Sequence, residues 1–133
     1  MELTDEVGIC FACGINNPIG LKLKFDFEGE RYVTRFTPKK EHQGYTGITH
    51  GGIISTILDE AMAKLIYEKG HLAVTTELKI RLRKVVPIGE ELTVSGWIVS
   101  EARRAIDCAA EARNPKGELV AEAEGRMVKV QNG

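Results

Sequence analysis

What the chain lacks narrows it first. Its 133 residues carry 18 Lys and Arg against 19 Asp and Glu, a formal net charge of −1. With no strong field of either sign, bulk charge gives no argument for nucleic acid as a partner. No apolar run approaches the roughly 20 residues that cross a bilayer as a helix, so no membrane association is expected. The opening MELTDEVGIC holds acidic residues where a secretory leader has a basic segment and then an apolar one, and a cytoplasmic location is the default expectation. The three cysteines are Cys10, Cys13 and Cys108. An odd count in a chain without such a leader argues against a disulfide framework. There is no internal repeat, low-complexity tract or linker, so a single domain over residues 1–133 with one core is expected.

What is present reads as an α+β chain. Leu21, Leu23, Phe25 and Phe27 alternate with Lys22, Lys24, Asp26 and Glu28. This period of two predicts a half-buried strand. After a turn at Gly29, residues 31–37 alternate again until Pro38 stops them. Residues 41–49, with Gly44 and Gly47, predict a loop. One long helix is expected over 51–69, ended at Gly70. Its apolar positions Ile53, Ile54, Ile57, Leu58, Ala61, Met62, Leu65 and Ile66 make a stripe wide enough to be wrapped by a sheet. Four further strands are expected at 74–83, 91–99, 103–113 and 119–130, with a turn at Asn114-Pro115-Lys116-Gly117. The order is two strands, a helix and an antiparallel meander, with the helix on one sheet face.

The sharpest local signal is His50-Gly51-Gly52 at the helix start, with Asp59 two turns inside it. Two glycines at a helix N-terminus leave N–H groups unshielded where negative charge is favoured. A developing oxyanion could be held there; equally, the glycines could serve close packing. His50 could be a general base, a hydrogen-bond donor or a helix-start residue; with no acid fixed near it in sequence, a structural role is expected. Asp59 lies roughly 140° from the centre of the apolar stripe, at 100° per residue, where a lone carboxylate is usually a solvated surface charge. Glu60 and Lys64 suggest an i,i+4 pair on a wet face. Cys10 and Cys13 have zinc-knuckle spacing, but one CxxC supplies two of the four ligands of tetrahedral zinc. With no second pair, and with Cys108 and His42 the remaining recruits, no metal is expected. Lys79, Arg81, Arg83 and Lys84 form either a solvated face or a seat for an anionic cofactor tail.

The stretch GYTGITHGG (44–52), followed by an apolar helix and DEAM (59–62), resembles the central motif of hotdog-fold acyl-CoA thioesterases, in particular the PaaI-like branch. CFACG (10–14) and NPIGL (17–21), within an N-terminal extension over residues 1–20, resemble the opening signature of one subgroup. The resemblance spans about residues 9 to 130. It implies the hotdog fold, a long central helix wrapped by a curved antiparallel sheet of five to six strands. It also implies homodimers that pair edge to edge and often pair again. By resemblance, Asp59 activates water or attacks the thioester directly. The Gly51 N–H polarises the thioester carbonyl, His50 shapes that end, and Thr75 helps to place the carboxylate. Gly52 with Lys79, Arg81 and Arg83 would meet coenzyme A, which is part of the substrate; no separate cofactor is implied. Some relatives carry an amide side chain where this chain has Gly44, so a second carbonyl-polarising side chain is not expected there.

Two other readings compete. Hotdog relatives also hydrate or dehydrate acyl thioesters, and a hotdog domain can bind acyl-CoA without turnover. The second reading needs an output element such as a DNA-binding helix pair, for which the nine residues before Cys10 are expected to leave no room. Helix geometry adds one constraint. Gly51 and Asp59 are separated by about 12 Å of helix rise, of which the backward lean of the Asp59 side chain recovers about 2–3 Å. A single carbonyl cannot reach both, whereas a two-fold dimer with antiparallel helices can supply one group from each subunit.

Overall fold

The computed structural model describes residues 6–130. Strand β1 (Asp26–Glu28) turns at Gly29, where φ is +64°, into β2 (Arg31–Phe36). Helix α1 (Gly51–Glu68) follows, then β3 (Ala73–Leu82), β4 (Leu92–Glu101), β5 (Ala105–Arg113) and β6 (Leu119–Lys129). All pairings are antiparallel, in one six-stranded sheet of order β1-β2-β4-β5-β6-β3.

The apolar stripe of α1 is buried as its spacing requires: Ile57, Leu58, Ala61 and Met62 are fully inaccessible, and Ile54, Leu65 and Ile66 nearly so. All but Leu65 share one core with Val94 of β4, Ile106, Cys108, Ala110 and Ala112 of β5, and Val120, Ala121, Ala123 and Met127 of β6. The small residues of β5 and β6 let the helix settle low on the sheet. It comes close to the sheet at Gly96 of β4, where a Cβ would stand 2.4 Å from the Ala61 carbonyl oxygen. The helix ends in a Schellman cap. The Gly70 N–H donates to the Tyr67 carbonyl (3.0 Å) and the His71 N–H to that of Ile66 (3.1 Å), with Gly70 at φ +92°.

Two expectations are corrected. The alternating run 21–28 is not one strand, because only Asp26–Glu28 pairs with β2. Leu21 and Leu23 are buried as alternation demands, but their N–H groups donate to Phe11 and Ala12 (2.9 Å each). Lys22 between them sits at φ +54°, which breaks a continuous ladder. The N-terminal segment is therefore stitched to the domain by this stretch. Nor do the last four strands form a meander. Only β4, β5 and β6 do; β3 lies at the far edge, paired with β6 alone. An 18-residue helix is about 27 Å long, enough to carry the chain across the roughly 19 Å between β2 and β3 at about 4.8 Å per strand. Alternation specifies faces of a strand, not its neighbours.

Candidate active site

The approach to α1 is held on both sides. A short 3-10 turn (Lys40–His42) leads into a loop closed by bridges Gln43↔Thr49 and Ile48↔Pro87. The Gln43 side chain accepts from the Gly47 N–H (3.0 Å), His50 N–H donates to the His42 carbonyl (2.9 Å), and Thr49 N–H to that of Val86 (2.8 Å). His50 is the N-cap of α1, its Nδ1 accepting from the Gly52 N–H at 2.8 Å. Since Nδ1 accepts, it carries no proton, and its lone pair is engaged. The Gly52 N–H is correspondingly spent on the cap. The Gly51 N–H has no hydrogen-bond partner among the described residues. It lies at the positive end of an 18-residue helix. Gly51 borders a cavity of about 210 Å³ with Ile48, Ile54, Leu82, Arg83 and Lys84. A Cβ on Gly51 would stand 2.7 Å from the Leu82 Cδ1.

Two turns further along, Asp59 is half-buried and faces β3 instead of bulk water. The Thr75 hydroxyl donates to Asp59 Oδ1 at 2.9 Å. The β3–β6 ladder shifts register between Thr75 and Glu77, immediately beside this contact. Burial raises the Asp59 carboxyl above its ordinary range, and the Thr75 hydrogen bond partly offsets that rise. Among the described residues no cation pairs with Asp59 and Oδ2 has no partner. A desolvated carboxylate with one fixed oxygen and one open oxygen can take a proton from water or attack an electrophilic carbon.

The structure gives Arg81 and Arg83 a common acidic neighbour, Glu122. Ile80 packs on the core, so its neighbours Lys79 and Arg81 point from the opposite sheet face, where they stand across from Glu124 and Glu122. Arg83 and Lys84 lie past the strand end beside the Gly51 cavity. Their tips are held by Glu122 (2.9 Å) and Glu118 (2.5 Å). Glu60 and Lys64 do not pair. Lys64 reaches Glu68 (3.5 Å), and the Glu60 carboxylate accepts from the Cys10 thiol, Sγ to Oε2 at 3.6 Å. Burial first, then Glu60 and Cys10, pushes the Cys13 thiol far above its ordinary range. Cys108 is core packing, its thiol pushed up to about 12 by burial and then Asp107. His42 fixes its own turn, accepting from the Lys39 N–H (2.9 Å), and His71 faces Glu101 at 3.4 Å. Glu60 as a thiol partner escaped the sequence reading. Its only signal was a position on the helix side opposite the core.

One long helix on a six-stranded antiparallel sheet of this strand order is the hotdog architecture, and with a desolvated carboxylate two turns from an unpartnered helix-start N–H it defines the class of hotdog-fold thioesterases. The family model of the thioesterase superfamily matches residues 46–121, and the chain belongs to that family. A putative esterase of Archaeoglobus fulgidus is 32% identical over 92 residues, 69% of this chain and 60% of that one. The mouse acyl-coenzyme A thioesterase THEM5 is 25% identical over 104 residues, 77% of this chain and 42% of that one. The chain thus spans less than two thirds of either relative. Among solved structures, smu.793 from Streptococcus mutans UA159 bound to acetyl CoA superposes with a TM-score of 0.76 at 24% identity, covering 81% of this chain and 88% of that one. The PaaI protein of E. coli superposes at 0.78 with 19% identity, covering 84% and 81%. These two likenesses show the shared fold. Among the described residues no helix is long and apolar enough to cross a membrane.

Proposed function

We propose that this chain hydrolyses acyl-CoA thioesters to the free acid and coenzyme A, with Asp59 as general base or nucleophile and the Gly51 N–H polarising the thioester carbonyl. The observation that carries this reading is the half-buried Asp59 carboxylate, raised by burial and held by Thr75 with one oxygen open. A base whose pKa is lifted toward working pH takes a proton more effectively than an ordinary aspartate. Membership of the thioesterase superfamily supports the reaction class. The acyl-coenzyme A thioesterase named among the relatives and the acetyl CoA held by a protein of the same fold support the substrate class. In the reaction the hydroxyl of water joins the carbonyl carbon, directly or by way of an Asp59 acyl intermediate. The oxyanion is held at the helix N-terminus, the C–S bond breaks, and coenzyme A leaves as the thiol with a proton. Because Gly51 and Asp59 are too far apart on one helix, the site is read as shared by two subunits, joined through the open edge of β3. Arg83 and Lys84, beside the Gly51 cavity, are the cations best placed for the coenzyme A phosphates.

A panel of short, long and aryl acyl-CoAs, followed with a thiol reagent, tests this. Free thiol should appear with at least one of them, and Asp59→Asn should cut kcat by at least about a hundredfold. A panel silent throughout, or near-normal turnover by Asp59→Asn, overturns the assignment. Crotonyl-CoA that is hydrated and not hydrolysed would indicate a hydratase.

A further inference from the structure

The fold brings a third ligand to the CxxC turn. Cys10, Cys13 and Glu60 are separated by up to 50 positions in sequence, yet their two sulfurs and one carboxylate oxygen all lie within 4.8 Å of one another. No other group of three such residues converges among the described residues. We propose that Cys10, Cys13 and Glu60 bind a zinc-class divalent cation that clasps the N-terminal loop to helix α1 beside Asp59.

The geometry suits such an ion. With Zn–S of about 2.3 Å and Zn–O of about 2.1 Å, a tetrahedral site has sulfur and oxygen about 3.6 Å apart. The observed Cys10 Sγ to Glu60 Oε2 separation is 3.6 Å. The CxxCG turn is tight: the Gly14 N–H donates to the Cys10 carbonyl at 2.8 Å. A Cβ on Gly14 would stand 2.3 Å from the Gly8 carbonyl oxygen and 2.6 Å from the backbone of Cys10, so the turn admits only glycine there. The loop is pinned elsewhere, with Asn16 N–H on Gly8 (2.8 Å) and the Asn17 side chain on Ile9 (2.9 Å). The cysteines are therefore presented already ordered. Charge favours a cation too. Glu60 is half-buried, and its only hydrogen bond among the described residues comes from a thiol, a weak donor; Lys64, one turn on, gives its ammonium to Glu68. Two sulfurs select zinc-class metals over calcium or magnesium, which take oxygen ligands. Cys10 is exposed, so the fourth position is open to a water molecule. On binding, the two thiols release their protons to solvent.

Titration of the reduced full chain with cobalt(II), and then displacement by zinc, tests the proposal. It should give one saturable equivalent, with sulfur-to-cobalt charge-transfer absorption and the visible band of a tetrahedral ion. The melting temperature should rise with free zinc, because the ion binds the folded form. Cys10→Ser should abolish the charge-transfer band or halve it. Glu60→Gln should weaken binding by at least about tenfold, and Cys108→Ser should change nothing. X-ray absorption of the wild-type zinc protein should show two sulfur neighbours and light atoms, a readout that does not depend on any variant folding. Absence of a saturable cobalt spectrum in the reduced protein overturns the proposal. So does a Glu60→Gln variant that binds as tightly as the parent, which would reduce the site to an ordinary dithiol.

Discussion

Asp59 is set by two neighbours acting in opposite directions: burial lifts its carboxyl and the Thr75 hydroxyl lowers it. Hydrolysis that depends on the ionised form should therefore fall as pH drops through the raised Asp59 value. Thr75→Val removes the lowering influence alone, so the acid limb of the kcat/KM profile should move to higher pH. At the plateau kcat should fall about tenfold, the scale of one hydrogen bond to a charged group. Thr75→Ser keeps the hydroxyl and should restore both. A profile of Thr75→Val that overlays the parent's would show that the 2.9 Å contact does not tune the carboxylate.

At the scale of elements, the helix is held over the sheet by a backbone contact that no side chain can replace. Gly96→Ala would drive a Cβ to 2.4 Å from the Ala61 carbonyl oxygen, an atom of helix backbone that cannot rotate away. Urea unfolding should show a loss of about 1–3 kcal/mol, the cost of overpacking a close interface. An unchanged midpoint would mean that the helix and β4 can part without loss. Arg83, just past the end of β3, borders the Gly51 cavity and Arg81 does not, and this divides their expected effects. Arg83→Glu, beside the Gly51 cavity, should raise KM for acyl-CoA several-fold more than for the same acyl group on a truncated thiol. Arg81→Glu, which does not border that cavity, should raise the two alike. If Arg81→Glu discriminates between the esters and Arg83→Glu does not, the phosphate site lies on the outer face.

For the whole molecule, β3 is the element with unfinished business. It is ten residues long and bonded only to β6, and it leaves a row of backbone donors and acceptors along an open edge, with Leu78 and Leu82 exposed. Natural edges of that length are usually shielded or paired. In the proposed dimer, edge pairing of two copies would satisfy them and would bring the Gly51 end of one helix toward Asp59 of the other. His50→Ala removes the cap on the Gly52 N–H and so disturbs the Gly51 end; Asp59→Ala removes the carboxylate. Each alone should be nearly inactive. Refolding an equal mixture should make about half the dimers hybrids, each with one doubly damaged and one intact site, so roughly a quarter of parental activity should return. Hybrids that form and stay inactive would place the whole site within one chain.

Apart from the run 21–28, the sequence by itself determined the elements and their order, because a period of two or of 3.6 residues is a local property that burial of one face imposes on any chain. The apolar stripe of α1, the His50 start, the Gly70 stop and the strand that carries Thr75 could all be read from spacing. Neighbourhood could not be read. Alternation places Lys79 and Arg81 on a face without saying which face meets a ligand. It says nothing of β3 crossing to the far edge, which depends on the length of a helix laid over the whole sheet. The Asp59–Thr75 contact required β3 to pack beside α1, and the meeting of Glu60 with Cys10 and Cys13 required the N-terminal segment to fold back along the helix. Such contacts join residues far apart in sequence. They were decided only in the tertiary structure, where packing a single core leaves few ways for the loops and edges to close.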